Sequence, residues 1–336
     1  MNLPVDILKI IFNYLDFKSQ MNMISSCSYF WNNIFITDLY HIEKIYLKLL
    51  TTEILKFSIF RHVVALCAKE NKKITNVSFI KSLKILNAYG RCGIDQNGIK
   101  GLDLFKFNIG NNEKITNVSF MKSLKKLNAY GFCGINQNNI KKLNLFELDV
   151  GDNKKITNVS FMKSLKKLDV WGNCGINQNG IKELKLVDFC AGNNIKITDV
   201  SFMKSLKKLS VWGRCGINQN GIKNLDLINF DASFNRKIIN VSFMKSLKKL
   251  DALYKCGICQ TGILGLKLVE LNVDDNEKIT NVSFMTSLKK LSARNNCGIN
   301  QNGIQGLNLF VLDVWNNEKI TNVSFMTSLK KIDCEK

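Results

Sequence analysis

Leu145-Phe146-Glu147-Leu148-Asp149-Val150-Gly151-Asp152-Asn153-Lys154-Lys155-Ile156-Thr157-Asn158-Val159-Ser160-Phe161 is one half of a pattern that fills most of the chain. The run Ile-Thr-Asn-Val-Ser-Phe begins at Ile74 and returns at Ile115, Ile156, Ile279 and Ile320, with variants at Ile197 (carrying Asp199) and Ile238 (carrying Ile239). Every step is 41 residues, without insertion or deletion. A fixed period of this kind marks a stacked array in which each unit buries its apolar face against the next.

Each unit divides again into coils of 20 and 21 residues, the second reading Leu165-Lys166-Lys167-Leu168-Asp169-Val170-Trp171-Gly172-Asn173-Cys174-Gly175-Ile176. Alternation of Leu148 and Val150 puts one face of a short strand inward. Asn153 then turns the chain, its amide able to satisfy backbone groups that the turn exposes. Asn71, Asn112, Asn153, Asn194, Asn235, Asn276 and Asn317 hold this place in all seven units and predict a ladder. Both coils resemble the L-x-x-L-x-L-x-x-N/C pattern of leucine-rich repeats. Cys174-Gly175-Ile176-Asn177-Gln178-Asn179-Gly180-Ile181 is similar to the cysteine-containing subclass, with one residue fewer after Cys and Asn-Gln for Thr-Asp. Lys155 to Leu165 is similar to short repeats of the internalin kind.

The expected fold is therefore an α/β solenoid: a leucine-rich-repeat array of about fourteen short parallel strands over residues 63–336, with a 3-10, helical or irregular convex side. Strands at about 4.8 Å spacing give a concave sheet of about 60 Å, which suits a protein better than a small molecule.

Phe79, Phe120, Phe161, Phe202, Phe243, Phe284 and Phe325 form an aromatic column. Its place in the apolar Val-Ser-Phe-Met turn predicts a buried spine, for which Phe202→Ala costs about 3 to 5 kcal/mol. Cys92, Cys133, Cys174, Cys215, Cys256 and Cys297 also recur one unit apart. An intervening coil separates neighbours by about 9 to 10 Å, too far for a disulfide or a tetrahedral metal site. They read as small buried side chains; no metal or cofactor is expected.

Residues 3–45 are of another kind. Pro4, the only proline, suits a helix start, and apolar residues at 7, 8, 11, 12 and 15 share a helical face. Leu3-Pro4-Val5-Asp6-Ile7-Leu8-Lys9-Ile10-Ile11-Phe12-Asn13-Tyr14-Leu15 and the later Cys27 and Trp31 resemble the F-box. That resemblance implies docking on the Skp-type adaptor of a cullin–RING ubiquitin ligase through Leu3, Pro4, Ile7, Leu8, Ile11 and Leu15. The competing reading is a helical cap over the open end of the array. The organisation expected is an F-box-like helical domain at 1–45, a helical linker or cap at 46–62, and the repeats from 63.

On the concave face Tyr89, Tyr130, Trp171 and Trp212 fall one unit apart, continued by Leu253 and Arg294. They read either as hot-spot residues for a protein partner or as a stack that stabilises the sheet. Lys126, Lys167, Lys208, Lys249 and Lys290 run beside acidic residues such as Glu147, Asp188 and Glu270. Such a face is mixed in sign, which argues against nucleic acid although the formal charge is +21. That charge reads more simply as a lysine-rich composition.

His41 and His62 are the only histidines, and no nucleophile–base set or phosphate loop is evident, so an enzyme is not expected. No membrane-length apolar run and no secretory leader pattern is visible, which implies the cytosol or nucleus. The functional expectation is a ubiquitin-ligase substrate receptor holding an unknown target protein. The alternative is a repeat scaffold with no ligase link.

Overall fold

The structure is a computed structural model that describes residues 5–26, 30 and 33–333, and side chains from residue 11 onward in that span together with Leu8. The chain forms two compact units, Met1–Ile156 and Thr157–Lys336. The first unit holds helices α1 (Val5–Tyr14), α2 (Phe17–Ser26), α3 (Lys44–Leu49), α4 (Thr52–Leu55) and α5 (Gln137–Ile140). Its strands are β1 (Asp38–Leu39), β2 (Ala65–Cys67), β3 (Ile85–Asn87), β4 (Lys106–Asn108), β5 (Lys126–Asn128) and β6 (Glu147–Asp149). The second unit holds β7 (Lys167–Asp169), β8 (Asp188–Cys190), β9 (Lys208–Ser210), β10 (Asn229–Asp231), β11 (Lys249–Asp251), β12 (Glu270–Asn272), β13 (Lys290–Ser292), β14 (Val311–Asp313) and β15 (Lys331–Asp333). Within each unit the strands pair in parallel and in chain order.

The period predicts β2 to β15. The short strand β1 precedes them, with Asp38 opposite Ala65 and Leu39 opposite Leu66. The sheet thus starts within the segment that resembles the F-box.

From β2 to β14 each coil buries the central residue of its strand, such as Leu209 or Leu250, and the apolar residue just after the strand, such as Val211 or Ala252. The asparagine ladder forms as expected. Asn194 Nδ2 donates to Val170 O at 2.8 Å and Ile176 O at 3.3 Å, and Asn194 Oδ1 accepts from Lys196 N at 3.0 Å. One amide therefore satisfies two carbonyls of the preceding coil and one N–H of its own turn. At the first rung, Asn71 Nδ2 donates instead to Leu47 O and Leu50 O, at 2.7 and 3.0 Å. These carbonyls end α3, so the rung amide caps a helix and ties the helical segment to the first coil.

A second ladder runs along the turns. Gln219 Oε1 accepts from Ile239 N and Asn240 N, both at 3.0 Å, while Gln219 Nε2 donates to Asn240 O at 2.8 Å. Gln96, Gln178, Gln260 and Gln301 repeat this grip on the next coil. The turns around these five glutamines are all 3-10, and the equivalent turn at Gln137 is the exception. At Gly221 and its equivalents the preceding coil's backbone packs close; position 139 carries Asn, and there the turn opens into α5 with an Asn136–Asn139 capping box.

The phenylalanine column corrects the sequence expectation. All seven rings, Phe79 to Phe325, are 38 to 40 % exposed. Val200 and Met203, on either side of Phe202, are buried instead. Spacing of three in a tight turn puts Val200 and Met203 on one side and turns Phe202 to the other. Phe202→Ala is accordingly expected to cost about 1 kcal/mol rather than 3 to 5. Met203→Ala, one residue on, should cost about 2 to 4 kcal/mol. Denaturant midpoints of the two variants check this ordering, and equal losses would contradict it.

Candidate functional site: the strand faces and the N-terminal helices

The outward strand positions carry the alternating charges that the sequence suggests. Lys126 Nζ lies 2.6 Å from Glu147 Oε1 in the first unit. In the second, Lys167 lies 3.9 Å from Asp188, Lys249 3.8 Å from Glu270, and Lys290 2.9 Å from the same Glu270. Register explains the pairs, since Lys126 faces Glu147 and Lys249 faces Glu270 across adjacent strands. These ion pairs are open to solvent and add little stability, but they keep the face mixed in sign. Asp251 sits among them with its carboxyl pushed above the usual range by burial, against the pull of Lys249 and with added repulsion from Asp231 and Glu270.

The aromatic column rests on glycine. In the first unit Tyr89 and Tyr130 are half-buried, their ring centroids 5.7 Å apart and tilted by 35°. A Cβ at Gly110, in the coil between them, would stand 2.7 Å from Tyr130 Cε1. The Tyr130 hydroxyl hydrogen-bonds that of Tyr89 and holds Tyr89 below the usual phenol range, whereas burial pushes Tyr130 up. Lys69 Nζ lies 4.9 Å over the Tyr89 ring.

In the second unit Trp171 and Trp212 are half-buried, and a Cβ at Gly192 would stand 2.5 Å from Trp212 Cδ2. The Trp212 ring thus packs on the preceding coil at Gly192. Arg294 continues the column as a charged member, held by Asp313 and by Asp274 at 4.0 Å. Sequence reasoning missed Trp315, which is exposed and occupies in its coil the place that Gly110 and Gly192 hold in theirs. Aligning the Asn-type coils with one another is the signal that finds it.

The recurring cysteines are buried, as expected of small core side chains. Burial pushes the thiols of Cys92, Cys215, Cys256 and Cys297 up to about 11. They are protonated at neutral pH, and Cys92 Sγ accepts from Ile94 N at 3.4 Å. Among the described residues no group of histidine, cysteine and carboxylate side chains could hold a metal ion. No helix among them is long and apolar enough to cross a membrane.

In the N-terminal segment, Leu3 and Pro4 lie outside the described residues, as do Cys27, Trp31 and the side chain of Ile7. On α1, Phe12 is buried, Leu8 and Leu15 are half-buried, and Ile11 is 42 % exposed. Tyr14, at the end of the same helix, is 88 % exposed. Helix α2 meets the cap through Phe17, whose ring lies 5.2 Å from that of Tyr46, and Ile36 N donates to Ile59 O at 2.9 Å. Helix α2 thus packs on residues 46–60, while α1 leaves apolar side chains outward.

Residues 1–41 match the model of the F-box domain. No curated protein matches the chain. Among solved structures, an internalin (inlF) from Listeria monocytogenes is similar at 17 % identity and a TM-score of 0.52, over 84 % of this chain and 92 % of that one. A functional domain of InlJ from the same organism, described as including a cysteine ladder, is similar at 18 % identity and a TM-score of 0.35, over 82 % and 59 %. An F-box domain followed by a leucine-rich-repeat fold is the organisation that these findings support.

Proposed function

We propose that the chain is a non-catalytic substrate receptor: its F-box docks on a Skp-type adaptor of a cullin–RING ubiquitin ligase, and its repeats capture a protein for ubiquitination. The observation that carries this reading is the F-box match at residues 1–41, joined to an array that offers extended protein-sized faces. The adaptor contact draws on Leu3, Pro4, Ile7, Leu8, Ile11 and Leu15, of which Ile11 is outward. The target contacts the strand faces, through Tyr89 and Tyr130 in one unit and Trp171, Trp212 and Arg294 in the other. Their outward ring faces combine apolar area with neighbouring charges of both signs, which suits a protein better than a polyanion. The cytosol or nucleus is the compartment such a complex implies.

The test is reconstitution of the full chain with a Skp-type adaptor. Wild type is expected to co-elute as a complex, and Ile11→Asp to weaken it by about ten-fold or more while the far-ultraviolet spectrum of the repeats is kept. Failure of the wild-type chain to bind any such adaptor would overturn the ligase link. A second reading, a scaffold whose helices only cap the array, is favoured by the Asn71 bonds to α3 and the Phe17–Tyr46 packing. It predicts target binding that is indifferent to Ile11→Asp and to the adaptor.

A further inference from the structure

Seven copies of one unit in a single chain allow each turn to be compared with its own repeats. The residue before each ladder asparagine has left-handed backbone and is polar at Glu70, Asn111, Asp152, Asn193, Asp275 and Asn316. One coil on, the chain turns left-handed again, at Gly90, Gly131, Gly172, Gly213 and Asn295. The two places interlock. Asn193 Oδ1 lies against Gly213 and accepts from Arg214 N at 2.9 Å; Asn111 does the same to Phe132 N and Glu70 to Arg91 N, both at 3.1 Å.

One rung breaks this pattern. It carries Phe234 and Tyr254, with φ of 60° and 58°. Bulky side chains adopt that region at a cost, and such outliers concentrate where a site is built. Their rings stack at 4.1 Å with planes 20° apart, yet remain 52 % and 41 % exposed. The stack replaces the polar interlock without burying either ring.

A second departure falls at the same rung. In five other cysteine turns the lysine two residues after the ladder asparagine donates its Nζ to the cysteine carbonyl, as from Lys196 to Cys174 O at 2.9 Å and Lys237 to Cys215 O at 3.1 Å. Lys278 makes no such bond to Cys256, whose N–H is drawn instead to Tyr254 O at 2.7 Å. The released Lys278, with Arg236 and Lys255, lines an open groove of about 640 Å³ beside the Tyr254 ring. None of these three cations has a carboxylate partner within the ion-pair distances that hold Lys249 or Lys290. Asp275 and Glu277 form another part of the wall, and Asp275 Oδ2 is occupied by Asn295 Nδ2 at 2.9 Å.

We infer that this rung is a recognition site for a protein segment in which a flat apolar side chain stands beside carboxylates. The stacked rings give the apolar group a planar surface, and the three unpaired cations receive the carboxylates. Aromatic rings among basic residues also suit single-stranded nucleic acid. A phosphate chain carries a charge at every residue and cannot keep clear of the Asp275 and Glu277 carboxylates, whereas a peptide can confine its carboxylates to the cations. The site lies in the turns rather than on the strands, so it rests on the repeats' binding protein and not on the aromatic column or the adaptor.

Restoring the rung to the residues of its neighbours gives a test that does not endanger folding. Fluorescence anisotropy of the full chain would use a short labelled peptide with tryptophan between glutamates, the same peptide with lysines, and labelled oligothymidylate. Wild type is expected to prefer the acidic peptide by about ten-fold or more over either other probe. Phe234→Asn combined with Tyr254→Gly should lose about ten-fold in affinity for it, with an unchanged or raised melting temperature. Lys278→Gln alone should lose about three-fold. Adaptor binding should be unaffected in both variants, which separates this site from the F-box. Equal affinity in the restored double variant, no binding of the acidic peptide by wild type, or oligothymidylate binding as tightly, would each overturn the inference.

Discussion

Asn194→Ala is expected to lower the stability of the second unit by about 3 to 5 kcal/mol, because it strands several buried backbone groups at once. The lost bonds are those to Val170 O and Ile176 O and the one from Lys196 N. The two carbonyls are enclosed between coils, where water cannot replace the amide, and each stranded polar group costs about 1 to 3 kcal/mol. The contrast is Asn240→Ala in the next repeat of the same unit. Asn240 Oδ1 accepts from Ser242 N and Ser242 Oγ at 2.8 Å, but the residue is exposed and solvent takes its place. That variant should lose about 1 kcal/mol or less. Denaturant midpoints, followed by circular dichroism, measure the pair. A loss at Asn194 no greater than at Asn240 would mean that the ladder does not hold the coils together.

The asparagine ladder was legible because one fact about it suffices. A polar residue that recurs at every turn among apolar neighbours has to be buried and satisfied, and only the backbone of the adjacent coil is within reach. The cysteines follow from the same spacing. The phenylalanine column was misread because a fixed period says that seven residues share an environment and not which one. In Val200-Ser201-Phe202-Met203 three apolar residues compete for the interior, and the tightness of the turn, not hydrophobicity, seats Val200 and Met203. Strand β1 has two residues and no periodic partner in sequence, so pairing with β2 is visible only in space.

The candidate site divides in the same way. Position and spacing identified Tyr89, Tyr130, Trp171 and Trp212, but their posture depends on residues 20 positions earlier, such as Gly110 and Gly192, which admit the rings. The glutamine ladder was hidden because Gln219 grips a peptide 20 residues on, through side-chain atoms that mimic a strand partner. Phe234 and Tyr254 were present as departures from their own repeats. They carry meaning only once the backbone at both positions is known to be left-handed.

Gly216→Ala should be the other severe substitution, at about 3 kcal/mol, and its cause is close approach rather than conformational freedom. A Cβ at Gly216 would press on the Ile197 carbonyl oxygen and stand 2.6 Å from that of Ile195. Both obstacles are backbone, so no side-chain rotation relieves them. The coil carrying Gly216 would have to lift from its neighbour, stretching the 2.9 Å bond from Gly216 N to Asn194 O. Since that bond belongs to the rung that Asn194 satisfies, the damage reaches the ladder and is not confined to one contact. Gly306 provides the opposite case: its φ is +77°, but a Cβ there meets nothing within 4 Å. Gly306→Ala should cost about 1 to 2 kcal/mol, the conformational part alone. Native-state hydrogen exchange locates the difference. Gly216→Ala should speed exchange of the Gly216 and Lys196 amides, which the Asn194 rung holds. Gly306→Ala should leave those amides protected. If the two variants lose equal stability, the coils yield at Gly216 and the close approach does not require glycine there.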